Sequence, residues 1–226
     1  MDRRNKEKII YFMKGTLIMI GNPVDYDKKF KGDFPIFPAK FDSELKRYLN
    51  LVPGKVVLDL GIGQGRNSIP LSELDFKVTG VDYSTKCLEI CKHSCPKLNL
   101  IQSDIRNFNI EKDKYDLIIS RCVLHFLHKA DSYQIIKNIK DNIKYKGLVY
   151  IHVFSLEDPK YIRHSTSSDF EILDNNILHN KINDTYVSFF TKEEVLTLFS
   201  DFKTILISEE YCLDQGGETP HYAGVI

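Results

Sequence analysis

The 226 residues are 42% hydrophobic and 27% charged, which suits one globular domain with embellishments rather than two full domains. Lysine plus arginine number 31 against 31 aspartates plus glutamates, so the chain carries no global basic field of the kind that gathers nucleic acid. The five cysteines, an odd number without a secretion signal, are expected as free thiols.

In chain order, Arg3, Arg4, Lys6 and Lys8 precede an apolar run from Ile9 to Ile20 that resembles a signal peptide on the surface. Lys14 interrupts the run, no small-residue cleavage site follows, and the run is too short to span a bilayer. It is expected to pack on the core, and the protein is expected in the cytoplasm without membrane attachment. Asn22-Pro23 and Phe34-Pro35-Ile36-Phe37-Pro38 are turn or extended signals, and Phe41, Leu45, Tyr48 and Leu49 recur at helical spacing before Pro53-Gly54 stops the chain. Val56 to Leu60 predicts a strand buried on both faces, and strands and helices then alternate. The strands are Lys77–Val81, Leu98–Gln102, Tyr115–Ser120 and Leu148–Phe154. The helices are Asn67–Leu74, Thr85–His93 and Ser132–Ile143. That alternation predicts an α/β fold with a parallel sheet and right-handed crossovers. Residues 155–186 are polar, show no convincing period and are too long for an ordinary connection, so a lid or substrate-facing insertion is expected there. Thr191-Lys192-Glu193-Glu194 is a capping box, a helix to about Phe199 follows, and further strands are expected at Lys203–Glu209 and from Tyr222 to Ile226.

Asp59-Leu60-Gly61-Ile62-Gly63-Gln64-Gly65-Arg66-Asn67-Ser68 is the stretch with chemical content. Glycines at a strand end allow a sharp turn and close approach of a ligand, and a following helix would present its free N–H groups. The stretch is not the dinucleotide pattern G-x-G-x-x-G, because Arg66 stands where the third glycine should be. It is not a P-loop either, because no Gly-Lys-Ser/Thr follows. Asp82 and Asp104 close the second and third strands, and an acid at the end of the second is suited to accept from ribose hydroxyls.

Acid-x-Gly-x-Gly-x-Gly after the first strand resembles the first motif of class I S-adenosylmethionine (SAM)-dependent methyltransferases, and Ser120-Arg121-Cys122-Val123-Leu124-His125-Phe126-Leu127 resembles their fourth. The resemblance covers residues 51–154 and, more loosely, 188–211. Gly65-Arg66-Asn67 is similar to the small-molecule branch that includes tellurite-resistance methyltransferases, from which Ile62 departs where a cysteine is more usual. It implies a Rossmann-like sandwich with a mostly parallel seven-stranded sheet, an N-terminal helical cap over residues 1–50, and a methyltransferase domain over 51–226 with a substrate-facing insertion at 155–190. It implies SAM as cofactor, held by Asp59, Gly61, Gly63, Gly65, Asn67, Asp82, Tyr83, Asp104, Ile105 and Arg121, with Asp104 facing the adenine amino group and Tyr83 covering part of the adenosine.

The expected reaction is in-line methyl transfer to a small-molecule acceptor, whether thiol, chalcogen oxyanion, amine or hydroxyl, with a base needed only if the acceptor must lose a proton. Tyr26, His125 and His221 are the candidates near the acceptor, each with an ordinary alternative as a surface, core or turn residue. A SAM-binding domain without turnover has the same motifs, and a nicotinamide dehydrogenase is the third reading. Cys87-x-x-x-Cys91-x-x-x-Cys95 falls on one helix face, but that spacing suits core packing better than a cluster. The scattered His152, His164 and His179 form no zinc pattern, so no metal is expected. No Asn/Asp-Pro-Pro-aromatic or Pro-Cys motif of a nucleic-acid methyltransferase is present.

Overall fold

The structure, a computed structural model, describes residues 9–12, 41–173, 176–213 and 220–223, with the backbone alone for 9–12, 210–213 and 220–223. Its strands are β1 (Ile9–Phe12), β2 (Val56–Leu60), β3 (Lys77–Asp82), β4 (Asn99–Gln102), β5 (Leu117–Arg121), β6 (Leu148–His152), β7 (Phe170–Leu173), β8 (Ile177–Asn180), β9 (Thr185–Ser188), β10 (Lys203–Thr204), β11 (Glu210–Leu213) and β12 (Pro220–Ala223). Its helices are α1 (Ser43–Arg47), α2 (Ser68–Glu73), α3 (Thr85–Ser94), α4 (Lys129–Asn142), α5 (Pro159–Ser165) and α6 (Lys192–Leu198).

Five strands form a parallel sheet in the order β4-β3-β2-β5-β6. Leu58, Leu60, Ile118, Val149 and Ile151 bury one face against Ile135, Ile136 and Ile139 of α4 and Val195 of α6. Val57, Leu117, Ile119, Leu148 and Tyr150 bury the other against Leu45 of α1, Leu71 of α2, and Leu88 and Cys91 of α3. This two-sided burial is why the strands read as continuous apolar runs. Each fully buried large side chain contributes roughly 1.5–3 kcal/mol of transfer free energy. Cys87, Cys91 and Cys95 are buried thiols outside any disulfide, packing as small hydrophobes.

Local chemistry fixes the joints. Asp116, just before β5, accepts from the Val56 N–H at 3.0 Å and pairs with Lys144 at 2.8 Å, joining the starts of β2 and β5. A Cβ on Gly54 would strike that carboxylate at 2.3 Å, so the stop before β2 requires glycine. Thr191 and Glu194 form the expected capping box of α6, and Glu194 also receives the buried Lys129 Nζ at 2.8 Å and the Tyr133 hydroxyl at 2.6 Å, which ties α6 to α4. Helix α4 starts three residues earlier than its apolar spacing suggests, because His128 caps it by accepting from the Ala130 N–H.

Four expectations need correction. The segment from Tyr222 is not a further strand of the main sheet: Pro220–Ala223 pairs antiparallel with Glu210–Leu213 in a separate ribbon. Only Lys203–Thr204 of the expected Lys203–Glu209 strand pairs, at the sheet's outer edge. The N-terminal cap is not wholly helical: Ile9–Phe12 is a strand lying parallel between β6 and β10, and only Ser43–Arg47 of the described cap is α-helix. Residues 155–186 are not irregular, because Pro159 starts α5 behind the capping carboxylate of Asp158 and β7, β8 and β9 form an antiparallel sheet. Phe154, Leu178 and Phe189 give this insertion its own apolar centre, with Phe126, Tyr161 and Phe170 packed around it. No described helix is long and apolar enough to cross a membrane.

Candidate active site

The order of the central strands reverses between β2 and β5, and open α/β sheets bind ligands outside the carboxyl ends of strands at such a point. The glycine turn lies there. It crosses to β3 through the Gly61 and Ile62 N–H groups, which both donate to the Val81 carbonyl. Gly61, Gly63 and Gly65 take φ of 77°, 54° and 81°, the left-handed region that side chains avoid. A Cβ on Gly61 would lie 2.2 Å from Val123 Cγ2, so that glycine admits the chain after β5, whereas a Cβ on Gly63 would meet nothing within 4 Å. Gly63 thus borders open space.

Asp82, at the end of β3, faces this opening. Its carboxylate accepts from the Gly63 N–H at 2.8 Å and the Ser84 N–H at 2.9 Å, which couples the turn to the start of α3. Tyr83 beside it is 51% exposed. Asp59 lies beneath the turn and accepts from the Ser68 hydroxyl at 2.6 Å. Burial pushes its carboxyl up to about 7 against that hydrogen bond. Asp104, after β4, is clasped by Arg106, whose Nε donates to both carboxylate oxygens at 3.0 and 2.9 Å and whose backbone N–H donates to Oδ1 at 2.9 Å. Those hydrogen bonds hold its carboxyl below the usual range. Ile105 is buried in the core beside it.

Asn67 and Arg121 turn elsewhere. Both meet Asp42, a residue the sequence reading did not single out. Asp42 occupies the N-cap position of α1 but makes no side-chain cap. Its carboxylate accepts from Arg66 Nε at 3.0 Å, Asn67 Nδ2 at 2.9 Å and the Tyr150 hydroxyl at 3.2 Å, and pairs with Arg121 Nε at 2.6 Å. The Asp42 N–H donates in return to Asn67 Oδ1 at 3.0 Å. Burial alone would raise this carboxyl, but Arg121 and Arg66 outweigh it and hold it below the ordinary value. The only sequence signal was an acid before a helix, which has a simpler explanation as a cap.

Of the acceptor-side candidates, His125 is sealed from solvent at the exit of β5. The Phe154 N–H donates to its Nδ1 at 3.1 Å and the ring stacks on Phe154 with centroids 3.6 Å apart. His221 lies on β12 opposite Cys212, with only its backbone described, and Tyr26 lies outside the described residues. No group of three or more metal-binding side chains occurs among the described residues.

Residues 57–147 match the family described as a methyltransferase domain. The chain is 40% identical over 95 residues to a probable SAM-dependent methyltransferase, TehB, of Haemophilus influenzae, a match covering 40% of this chain and 33% of that protein. The chain thus spans about a third of that relative's length. The crystal structure of TehB from the same organism superposes with a TM-score of 0.62 at 22% identity, covering 82% of this chain and 61% of that one. A Burkholderia thailandensis 1,6-didemethyltoxoflavin-N1-methyltransferase, solved with its substrate and S-adenosylhomocysteine, gives a TM-score of 0.54 at 17% identity over 79% of this chain and 72% of that one. Residues 57–147 are thus similar to a methyltransferase domain, and the fold around them is that of the solved SAM-dependent methyltransferases. Both sequence and fold resemble TehB, in keeping with the likeness to tellurite-resistance methyltransferases seen at Gly65-Arg66-Asn67.

Proposed function

We propose that the chain transfers a methyl group from SAM to a small-molecule acceptor by in-line displacement. The observation that carries this reading is the opening at Gly63, a left-handed turn with free space before it and Asp82 beside it. When bound, SAM supplies an electrophilic methyl on a sulfonium that is already a good leaving group. The chain's own task is then to hold the reactants in line and keep water out, an effect worth up to ~7–11 kcal/mol.

In this reading the backbone of Gly61, Gly63 and Gly65 lies against the donor, Asp82 accepts from the ribose hydroxyls, and the half-exposed Tyr83 covers the adenosine. Asp104 meets the adenine amino group through the lone pairs that Arg106 leaves, with Ile105 against the ring. Asp59, Asn67 and Arg121 act from behind, Asp59 through Ser68 and the other two through Asp42. Residues 1–50 and the 155–190 insertion shape the acceptor side. The Ser188 hydroxyl at the end of β9 donates to the Leu127 carbonyl at 2.6 Å, which fastens the insertion to the exit of β5.

Calorimetry with SAM tests the donor site, and turnover with a panel of thiols, chalcogen oxyanions, amines and phenols tests the transfer. Asp82→Ala is expected to weaken SAM binding by about 1–3 kcal/mol, the usual loss for hydrogen bonds to a charged group. Unchanged affinity in the folded variant refutes the ribose assignment. Tight SAM binding with no methyl transfer to any acceptor refutes the enzymatic half of the reading.

A further inference from the structure

Asp104 and Arg106 stand in the turn that leaves β4. The Ser103 N–H donates to the Asp82 carbonyl at 3.0 Å, which sets Asp104 just beyond the acid assigned to the ribose. The Asn107 N–H closes the turn on the Asp104 carbonyl at 3.0 Å, and Ile105 between them is anchored in the core. The Arg106 N–H donates to Asp104 Oδ1 at 2.9 Å, a local arrangement that any residue but proline would supply at position 106. The side chain adds what only a guanidinium can. Its Nε donates to Oδ1 at 3.0 Å and to Oδ2 at 2.9 Å, and its Nη2 donates to Oδ2. The fork is tied from its far side as well, because Nη1 lies 3.7 Å from Oδ2 of Asp131 in the first turn of α4.

A carboxylate offers about four lone-pair positions. Arg106 fills three of them with three hydrogens, one on the backbone, one on Nε and one on Nη2. One position is left. The same hydrogen bonds hold the carboxyl below its usual range, so the remaining position accepts a hydrogen and does not donate one. Nor can the carboxylate rotate without breaking the fork. Asp104 keeps 18% of its side-chain surface in solvent and Arg106 keeps 48%. An ion pair so exposed adds little to folding. What it changes is the shape and charge of the edge that Asp104 presents.

We propose that Arg106 is the positioning residue that makes the donor site selective for adenine, by fixing Asp104 as an edge that takes one amino N–H and rejects a carbonyl in the same place. This rests on the SAM-dependent reading and deepens it by naming what decides the donor's base. An exocyclic amino group fills the one open position. A hypoxanthine base, with oxygen in place of that group, sets a lone pair against a carboxylate that can neither turn aside nor donate. Without the guanidinium the carboxylate turns on its side-chain bonds. The amino group then meets a partner that must be ordered on binding, and the carbonyl is no longer held against a fixed charge.

The test compares S-adenosylhomocysteine with S-inosylhomocysteine by calorimetry at neutral pH. The unaltered protein is expected to bind the inosyl compound at least about a hundredfold more weakly. Arg106→Ala keeps the backbone hydrogen bond to Oδ1 and deletes the fork. It is expected to weaken S-adenosylhomocysteine about fivefold, the size of ordering one side chain on binding, and to leave the inosyl compound unchanged or tighter. Selectivity therefore falls by at least about fivefold, whereas a merely structural role would weaken both ligands alike. Arg106→Lys keeps the charge without the fork and is expected to lose selectivity to the same degree. Unchanged selectivity in Arg106→Ala, full selectivity in Arg106→Lys, or equal binding of the two compounds by the unaltered protein overturns the proposal. Absence of S-adenosylhomocysteine binding by the unaltered protein overturns the donor reading instead.

Discussion

Asp42→Asn is the sharpest perturbation the structure suggests. The substitution keeps the side chain's shape and removes the charge that Arg66 and Arg121 share. Removing one member of a buried ion pair costs about 3–5 kcal/mol, chiefly because the partner is left uncompensated. Asp42 is 8% exposed, but Arg66 and Arg121 keep 22% and 20% of their side-chain surface in solvent, which places the expected loss near the low end, about 3 kcal/mol. With a urea slope of about 2 kcal/mol per molar, the unfolding midpoint falls by about 1.5 M. SAM affinity weakens with it, because Arg66 and Asn67 follow directly on the glycine turn. The pH dependence has a definite sign. The Asp42 carboxyl ionises below its ordinary 3.8 in the folded protein, so its contribution is present above that value and lost as pH falls through the lower folded one. Acid unfolding below pH ~4 is therefore less steep in the variant than in the unaltered protein. A midpoint shift under about 0.5 M at unchanged slope, with SAM affinity intact, refutes the view that Asp42 holds the turn.

Two further outcomes follow from the turn itself. Gly63→Ala places a methyl in the open space at φ 54°, so folding loses only the left-handed backbone cost of about 1–2 kcal/mol while SAM binding suffers more; calorimetry showing unchanged SAM affinity would sink the placement of the donor there. Asp59, with its carboxyl raised from 3.8 to about 7, contributes stability that is complete below pH ~4 and is lost as pH rises through ~7, by up to about 4 kcal/mol; urea midpoints for Asp59→Asn should be flat across that window, and a parallel decline in both proteins would assign it to another group.

The sheet was legible because its strands are buried on both faces, so Val56–Leu60, Leu117–Arg121 and Leu148–His152 read as apolar runs between helical stretches. The insertion was not, because β7 has no buried residue and strands of four residues in a polar segment leave too few apolar positions to show a period. The edge pairings of β1, β10 and β12 were lost for a related reason: two to four residues of strand are selected by what they lie against, which a local pattern does not carry.

The site divided along the same line. Gly61, Gly63, Gly65 and Asp82 are close in sequence and their geometry follows from strand, turn and strand. The Asp42 cluster joins residues 24 and 25 positions apart, and another 108 apart, so no spacing rule reaches it. Its position changes the meaning of Gly65-Arg66-Asn67. In the sequence, Arg66 served to exclude a dinucleotide turn, and Asn67 was assigned to the ligand. In the fold both bind Asp42, the residue before α1, and Arg121 and Tyr150 bring β5 and β6 to the same carboxylate. One buried acid therefore links the glycine turn, the start of α1 and the strands β5 and β6. A change in how the cap is seated is expected to alter donor affinity and acceptor affinity together, which separate binding sites on a rigid sheet would not do.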